Sequence, residues 1–145
     1  LAPITAAASG VYLLHRAQNQ RAGTIVLQGS EVGYAFVEQA LPLLKKEGIE
    51  VDAYYVASAE LFDLLPPEEQ EKIYPAAAAQ EAMGITGFTL PTLDRWILSQ
   101  RGRRHSLHPF RKGHYLGSGQ ADQVMAEAGL DGESQFKAIL EYIKG

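Results

Sequence analysis

The sequence predicts a single α/β domain: three layers, with a mixed, mostly parallel sheet of about five strands and helices on both faces. With 145 residues, the chain has the size of one ordinary domain. Its 46% hydrophobic and 21% charged residues are typical of globular proteins. Apolar runs and helically spaced segments alternate from Thr24 to Ser99, which is the pattern of parallel strands joined by crossover helices.

Composition excludes several classes of protein. The net charge of −4 argues against general nucleic-acid binding, which needs a basic surface. The absence of cysteine excludes disulfides and thiolate metal sites and is typical of a cytoplasmic protein. No apolar run approaches the roughly 18 residues of a membrane span, so we expect no membrane partner. Residues 1–10, LAPITAAASG, have the composition of a linker, which places the domain at residues 11–145.

The first half of the chain contains the best-marked elements. Ser30 is the predicted N-cap of a helix whose apolar residues follow helical spacing as far as Leu44. Pro42 lies inside this helix and is expected to kink or split its last turn. Three strands are predicted in this half, the first a candidate for an antiparallel edge strand: Val11 to Leu14, Thr24 to Leu27 and Glu50 to Ala57.

The second half is predicted with less regular signals. Pro75 to Ala82, PAAAAQEA, fits the period of a strand or a helix, and the glycines that follow favour a strand. Gly129, with Leu130 behind it, is a predicted helix stop. The last helix carries an apolar stripe of Phe136, Ile139, Leu140 and Ile143. Helices are predicted at Ala59 to Leu65, Glu68 to Tyr74, Leu90 to Ser99, Gln120 to Ala128 and Glu133 to Lys144.

The turn after the Thr24 strand is the first candidate for a ligand site. Ligands of open α/β sheets bind beyond the carboxyl ends of the strands, where this turn is predicted to lie. The turn lacks both glycine-rich phosphate motifs, so a strand-to-helix turn with a capping serine is the favoured alternative. The candidate anion or ligand crevice comprises Gly29, Ser30, Glu31, Glu81 and Ser118.

A basic segment is the second candidate. From Arg95 to Ala121 the chain has six lysine or arginine residues and no carboxylate. Such a cluster binds a phosphate or an acidic partner, although a solvated charged face is the commoner use. The candidate basic patch comprises Arg103, Arg104, Arg111 and Lys112.

Several stretches, taken as an ordered set, resemble the C-terminal domain of transketolase. They are VYLL from Val11, TIVLQGSEVGYAF from Thr24, KKEGIEV from Lys45 and VASAELFDLLPPEEQEKIYP from Val56. Further on, AAAQEAMGITGF and GSGQADQVMAEAGLDGESQFKAI resemble a small-residue strand and the last two helices of that domain. The segment before the penultimate helix departs from the family pattern, because Gln120 stands where the family usually has proline. The resemblance therefore covers most of the chain from Val11 onward.

The resemblance implies a non-catalytic module. Transketolase, which transfers ketol units between sugar phosphates, binds thiamine diphosphate with Mg²⁺ or Ca²⁺ between its first two domains, across a dimer interface. The G-D-G motif of that cofactor site is absent from this chain. We therefore expect no catalytic, cofactor-binding or metal-ligating residue here. The expected partners are the upstream catalytic domains, or a separate catalytic subunit, within a homodimer.

Two alternatives to a transketolase module remain. The E1 components of 2-oxo acid dehydrogenases share this type of C-terminal domain. A free-standing domain that binds a small anion is the alternative from another functional class, and it would use the Ser30 turn and the basic patch.

Overall fold

The computed structural model of the chain describes residues 9–109 and 129–145. The predicted helix at Gln120 to Ala128 and nearly all of the predicted linker lie outside these ranges. None of the helices within them is both long and apolar enough to span a membrane.

The sheet is mixed and mostly parallel, as predicted, but it has four strands in the described ranges instead of five. Its order is β1-β3-β2-β4. β1 lies at an edge, antiparallel to β3, whereas β2 runs parallel to both of its neighbours. Beyond β4, a single parallel bridge joins Ile85 to Leu107 and takes the place of a fifth strand. The strands are β1 (Val11–His15), β2 (Gly23–Gln28), β3 (Val51–Val56) and β4 (Met83–Thr86).

Helices cover both faces of the sheet, as predicted. Side chains alternate along a strand, so Ile25 and Leu27 of β2 face one apolar cluster while Val26 faces the other. The first cluster includes Phe36, from the helical segment after β2, and the second includes Trp96. β2 is therefore buried from end to end, which is the reason its sequence reads as an apolar run.

The helical segment after β2 spans residues 30–46 and changes its pitch in the middle. It consists of α1 (Ser30–Ala35), a π-helical turn (Phe36–Ala40) and α2 (Leu41–Lys46). Pro42 lies in the first turn of α2. A proline has no N–H, and its ring collides with the carbonyl four residues earlier in a regular α-helix. The wider turn before Pro42 relieves that conflict, so the predicted disruption occurs upstream of the proline and not in the last turn.

The predicted strand at Pro75 to Ala82 is wrong. This segment forms a helix, α5 (Ala76–Glu81), and the strand begins only at Met83. Alanine has the highest helix propensity of all residues, and the segment from Pro75 to Gly84 contains no β-branched residue. The short helices before α5 match their predictions closely; they are α3 (Ala59–Asp63) and α4 (Pro67–Ile73).

After β4, the predicted helix at Leu90 to Ser99 is mostly absent, and an additional helix follows it. Only Leu90–Leu93 forms a 3-10 helix within the predicted Leu90 to Ser99 helix. Ser99 then caps α6 (Gln100–His105), because its side chain accepts a hydrogen bond from the Gly102 N–H at 2.9 Å. The basic segment thus contains a helix that its charges gave no reason to predict.

The last helix, α7 (Gly132–Lys144), is present as predicted, but its most buried face is rotated from the predicted stripe. Ile139 is fully buried, while Phe136 is only partly so. Gln135 and Tyr142 are the fully buried polar residues of this helix. The predicted stripe did not include Gln135 and Tyr142, because it was based on aliphatic residues and phenylalanine. The chain enters α7 through Gly129, which has a positive φ of 76°, and through the buried Leu130.

Candidate functional site

The carboxyl ends of β3, β2 and β4 lie side by side at one edge of the sheet, which we call the carboxyl edge. Gly29 follows β2 there with a φ of 104°, a backbone conformation that favours glycine. Gly29 is the N-cap of α1, and no side chain caps this helix. The prediction that Ser30 is the N-cap is therefore wrong, since glycine occupies that position and moves the serine into the first turn.

Polar groups between β2 and β4 at this edge bind each other. The Thr92 hydroxyl donates to Gln28 Oε1 at 2.9 Å, and Gln28 Nε2 donates to the Thr92 carbonyl at 3.2 Å. The Gly87 N–H donates to the Gln28 carbonyl at 2.9 Å. The chain separation of 64 residues between Gln28 and Thr92 left no sequence signal for this pair. The side-chain oxygen and nitrogen of Gln28 are thus both engaged with Thr92.

Glu81 does not lie near Ser30. It accepts hydrogen bonds from the Thr24 hydroxyl and from Arg21 Nε, at 2.9 Å for the latter. Thr24 is near the start of β2 and Ser30 is beyond its end, so the length of the strand, roughly 15 Å, separates them. The structure thus brings together Gly29, Ser30 and Glu31 but not Glu81, while Ser118 lies outside the described residues.

Glu81 instead belongs to a network at the opposite, amino edge of the sheet. Arg21 also approaches Asp52, at the start of β3, at 3.5 Å. The Tyr142 hydroxyl accepts a hydrogen bond from the Thr24 N–H at 3.1 Å and donates one to the Glu81 carbonyl at 2.7 Å. Burial raises the pKa of Tyr142, so its hydroxyl remains a donor at neutral pH. The network joins the last helix to the first parallel strand.

A pocket of about 350 Å³ lies beside this network, between β1 and the end of α2. Burial, followed by the nearby Lys45 ammonium, lowers the pKa of His15. Hydrogen bonds from the Gln18 N–H and from Asn19 lower the pKa of Glu50. The pocket thus combines a carboxylate, an ammonium group and a neutral imidazole. Its lining residues are His15, Gln18, Asn19, Lys45, Gly48, Ile49 and Glu50.

Only half of the candidate basic patch lies in the described residues. Arg103 Nε donates to the Ile97 carbonyl at 3.0 Å, so its guanidinium is already engaged. Arg104 is exposed on α6 and forms no ion pair with another described residue. Arg111 and Lys112 lie outside the described residues. Within residues 9–109 and 129–145, no group of three or more histidine, aspartate or glutamate side chains could hold a metal ion.

Comparison with known proteins identifies relatives of the chain. A transketolase from Streptococcus pyogenes is 32% identical over 108 residues, which cover 66% of this chain and 14% of that protein. A transketolase from Rhodobacter capsulatus is 28% identical over 133 residues, covering 88% of this chain and 18% of that protein. The chain is a transketolase homologue. No family model matches it.

Solved structures show the same fold for this transketolase homologue. Transketolase from Leishmania mexicana superposes with a TM-score of 0.69 and 20% identity over 99% of the chain. Transketolase from Campylobacter jejuni gives a TM-score of 0.65 and 20% identity over 92% of the chain. The matched regions are 19% and 18% of those two proteins. The homologue therefore spans less than a fifth of its relatives, as one domain of a larger protein would.

Proposed function

We propose that this transketolase homologue is the non-catalytic C-terminal module of a transketolase-like enzyme and supports assembly of its dimer. One observation carries the proposal: the chain is 32% identical to a transketolase over 108 residues, and this match covers only 14% of that protein's length. The parent enzyme would transfer ketol units between sugar phosphates. It would be a cytoplasmic protein, consistent with a chain that lacks cysteine.

The cofactor of the parent enzyme, thiamine diphosphate with Mg²⁺ or Ca²⁺, would bind to the other domains. Two features of the carboxyl edge of this chain disfavour a diphosphate group there. Glu31 and Glu60, in the first turns of α1 and α3, add negative charge there, and Gln28 and Thr92 already bind each other. An anion at this edge would therefore meet two carboxylates, and the side chains of Gln28 and Thr92 would have to leave each other to bind it.

Calorimetry with thiamine diphosphate and Mg²⁺ tests whether the cofactor binds to the other domains of the parent and not to this module. The 145-residue chain alone should show no binding, whereas the parent protein, with its catalytic part, should bind the cofactor and transfer ketol units. Removal of this module from the parent should convert a dimer into a monomer in sedimentation experiments. Micromolar binding of the cofactor by the isolated chain would overturn the proposal, as would a parent dimer that is unchanged without the module.

A further inference from the structure

Four large apolar side chains are exposed next to the carboxyl edge. Each follows the end of a parallel strand: Tyr34 follows β2, Leu61 and Leu64 follow β3, and Phe88 follows β4. Monomeric surfaces carry scattered apolar residues, but several large ones at one edge mark an interaction site. We call these four residues the edge patch. Their exposed fractions are 70% for Tyr34, 43% for Leu61, 80% for Leu64 and 56% for Phe88.

The three strand ends that precede the edge patch are adjacent in space. Neighbouring strands are about 4.8 Å apart, so the ends of β3, β2 and β4 lie within roughly 10 Å of each other. The Phe88 ring lies 3.9 Å from the position that a β-carbon would take at Gly29. Phe88 therefore borders the Gly29 turn, and the helices that carry Tyr34 and the two leucines begin at the same edge on opposite faces of the sheet.

The chain also enters the domain at this edge. β1 is antiparallel to β3, so its first residue lies beside the carboxyl end of β3. The Gly10 carbonyl accepts hydrogen bonds from the N–H groups of Ala57 and Ser58, at 2.8 and 2.9 Å. A β-carbon on Gly10 would lie 3.1 Å from the Leu61 Cβ. Whatever precedes Ser9 in the polypeptide is thus joined next to the edge patch.

Charge at this edge indicates the chemistry of a partner. Asp63 is neutralised by Arg95 at 2.6 Å, and this guanidinium lowers the pKa of the carboxyl. Glu31 and Glu60 form no ion pair with any residue of the described ranges. A complementary surface would have an apolar centre for the edge patch and lysine or arginine residues facing the two glutamates.

We infer that the edge patch docks the catalytic part of the parent enzyme through an apolar surface with a basic rim. The inference rests on the proposed function, and two observations select this occupant. The chain accounts for less than a fifth of its relatives, and its point of entry adjoins the patch. Contacts between domains of one chain bury about 600–1,500 Å². A few large apolar side chains on one edge are enough to form the centre of an interface of this size.

Hydrogen exchange tests the inference, with the parent enzyme compared to the 145-residue chain alone. Peptides covering residues 59–64 and 87–89 should exchange several-fold more slowly in the parent. Peptides covering 15–21 and 48–51, at the amino edge, should be unaffected. Equal exchange at residues 59–64 and 87–89 in the two samples would overturn the inference.

Charge substitutions provide the second arm. Phe88→Lys and Leu64→Lys should abolish that protection in the parent while leaving the melting temperature of the isolated chain unchanged. Leu98→Lys is the matched control, because Leu98 is also exposed (47%) but its N–H donates to the Ala79 carbonyl on α5, away from the edge. An effect of Leu98→Lys equal to that of Phe88→Lys would count against the inference.

Two other outcomes separate this inference from the proposed function. If the isolated chain sediments as a dimer that Phe88→Lys converts into a monomer, the occupant is a second copy and the inference is wrong. If the parent transfers ketol units but its edge patch stays unprotected, the proposed function stands and the docking site does not. Protection in a parent that lacks ketol transfer would support docking and overturn the function.

Discussion

The hydroxyl of Tyr142 completes the hydrogen bonding of a strand end. β4 begins opposite Ile25, so the Thr24 N–H has no partner in that strand. The Tyr142 hydroxyl accepts from this N–H and donates to the Glu81 carbonyl just before β4. Arg101 also contacts this tyrosine. Its guanidinium donates a hydrogen bond to the Tyr142 carbonyl and lies 4.7 Å from the centre of the ring. One side chain thus connects β2, α5, α6 and α7.

Tyr142→Phe should lower the free energy of unfolding by about 1–3 kcal/mol, since it leaves a buried N–H and a carbonyl without a partner. Urea denaturation of the chain measures the change. Tyr34→Phe is the control, because Tyr34 is mostly exposed and should tolerate the change to within about 0.5 kcal/mol. Equal losses in the two variants would show that the Tyr142 hydroxyl has no special structural role.

Among the helices, the start of α1 differs from the start of α3. Ser58 caps α3 by accepting a hydrogen bond from the Leu61 N–H at 3.1 Å, whereas the N-cap of α1 is a glycine. Both sequences place a serine at a strand end, with a glutamate one or two residues later. The φ of 104° at Gly29 is what distinguishes them.

We therefore expect the two serines to respond differently to substitution. Ser58→Ala should destabilise the chain by about 1 kcal/mol through loss of the cap. Ser30→Ala should change stability by less than about 0.5 kcal/mol, since Ser30 is already within the first turn. Thermal unfolding of both variants measures the difference. A larger loss for Ser30→Ala would contradict the assignment of Gly29 as the N-cap.

Elements with strong local signals were predictable, and those without were not. β2 and β3 are buried runs rich in β-branched and aromatic residues, and both were predicted to within two residues. α5 was missed because six residues are too few to separate a helical from a strand period. The partners of Glu81 lie 57 and 60 residues away in sequence, so no local pattern could indicate them.

For the whole molecule, His15 links stability to pH. Burial and Lys45 lower its folded pKa, while Glu50 and Asp52 oppose the shift without cancelling it. In the unfolded chain its pKa should be near the ordinary value of about 6.5. The unfolded state therefore binds more protons between the folded pKa and pH 6.5, and stability must fall as the pH falls through this window.

His15→Gln should remove this part of the pH dependence. Urea denaturation between about pH 5 and pH 8 should show the native chain losing more stability on acidification than the variant. The other histidines contribute equally to both proteins and cancel in the difference. Parallel curves would show that His15 titrates alike in the folded and unfolded states.

Because the chain enters the domain at the carboxyl edge, the proposed contact between the edge patch and the catalytic part would be tethered, which lowers the affinity that it requires. A flexible connection of about ten residues between two domains has a root-mean-square reach of roughly 17 Å. Tethers of this length raise the effective concentration of a neighbouring domain to the millimolar range. An intrinsic dissociation constant near 1 mM, or about −4 kcal/mol, would then suffice to keep the contact substantially occupied. The four apolar side chains of the edge patch can thus bind a tethered domain of the same polypeptide at an affinity too low to bind untethered proteins.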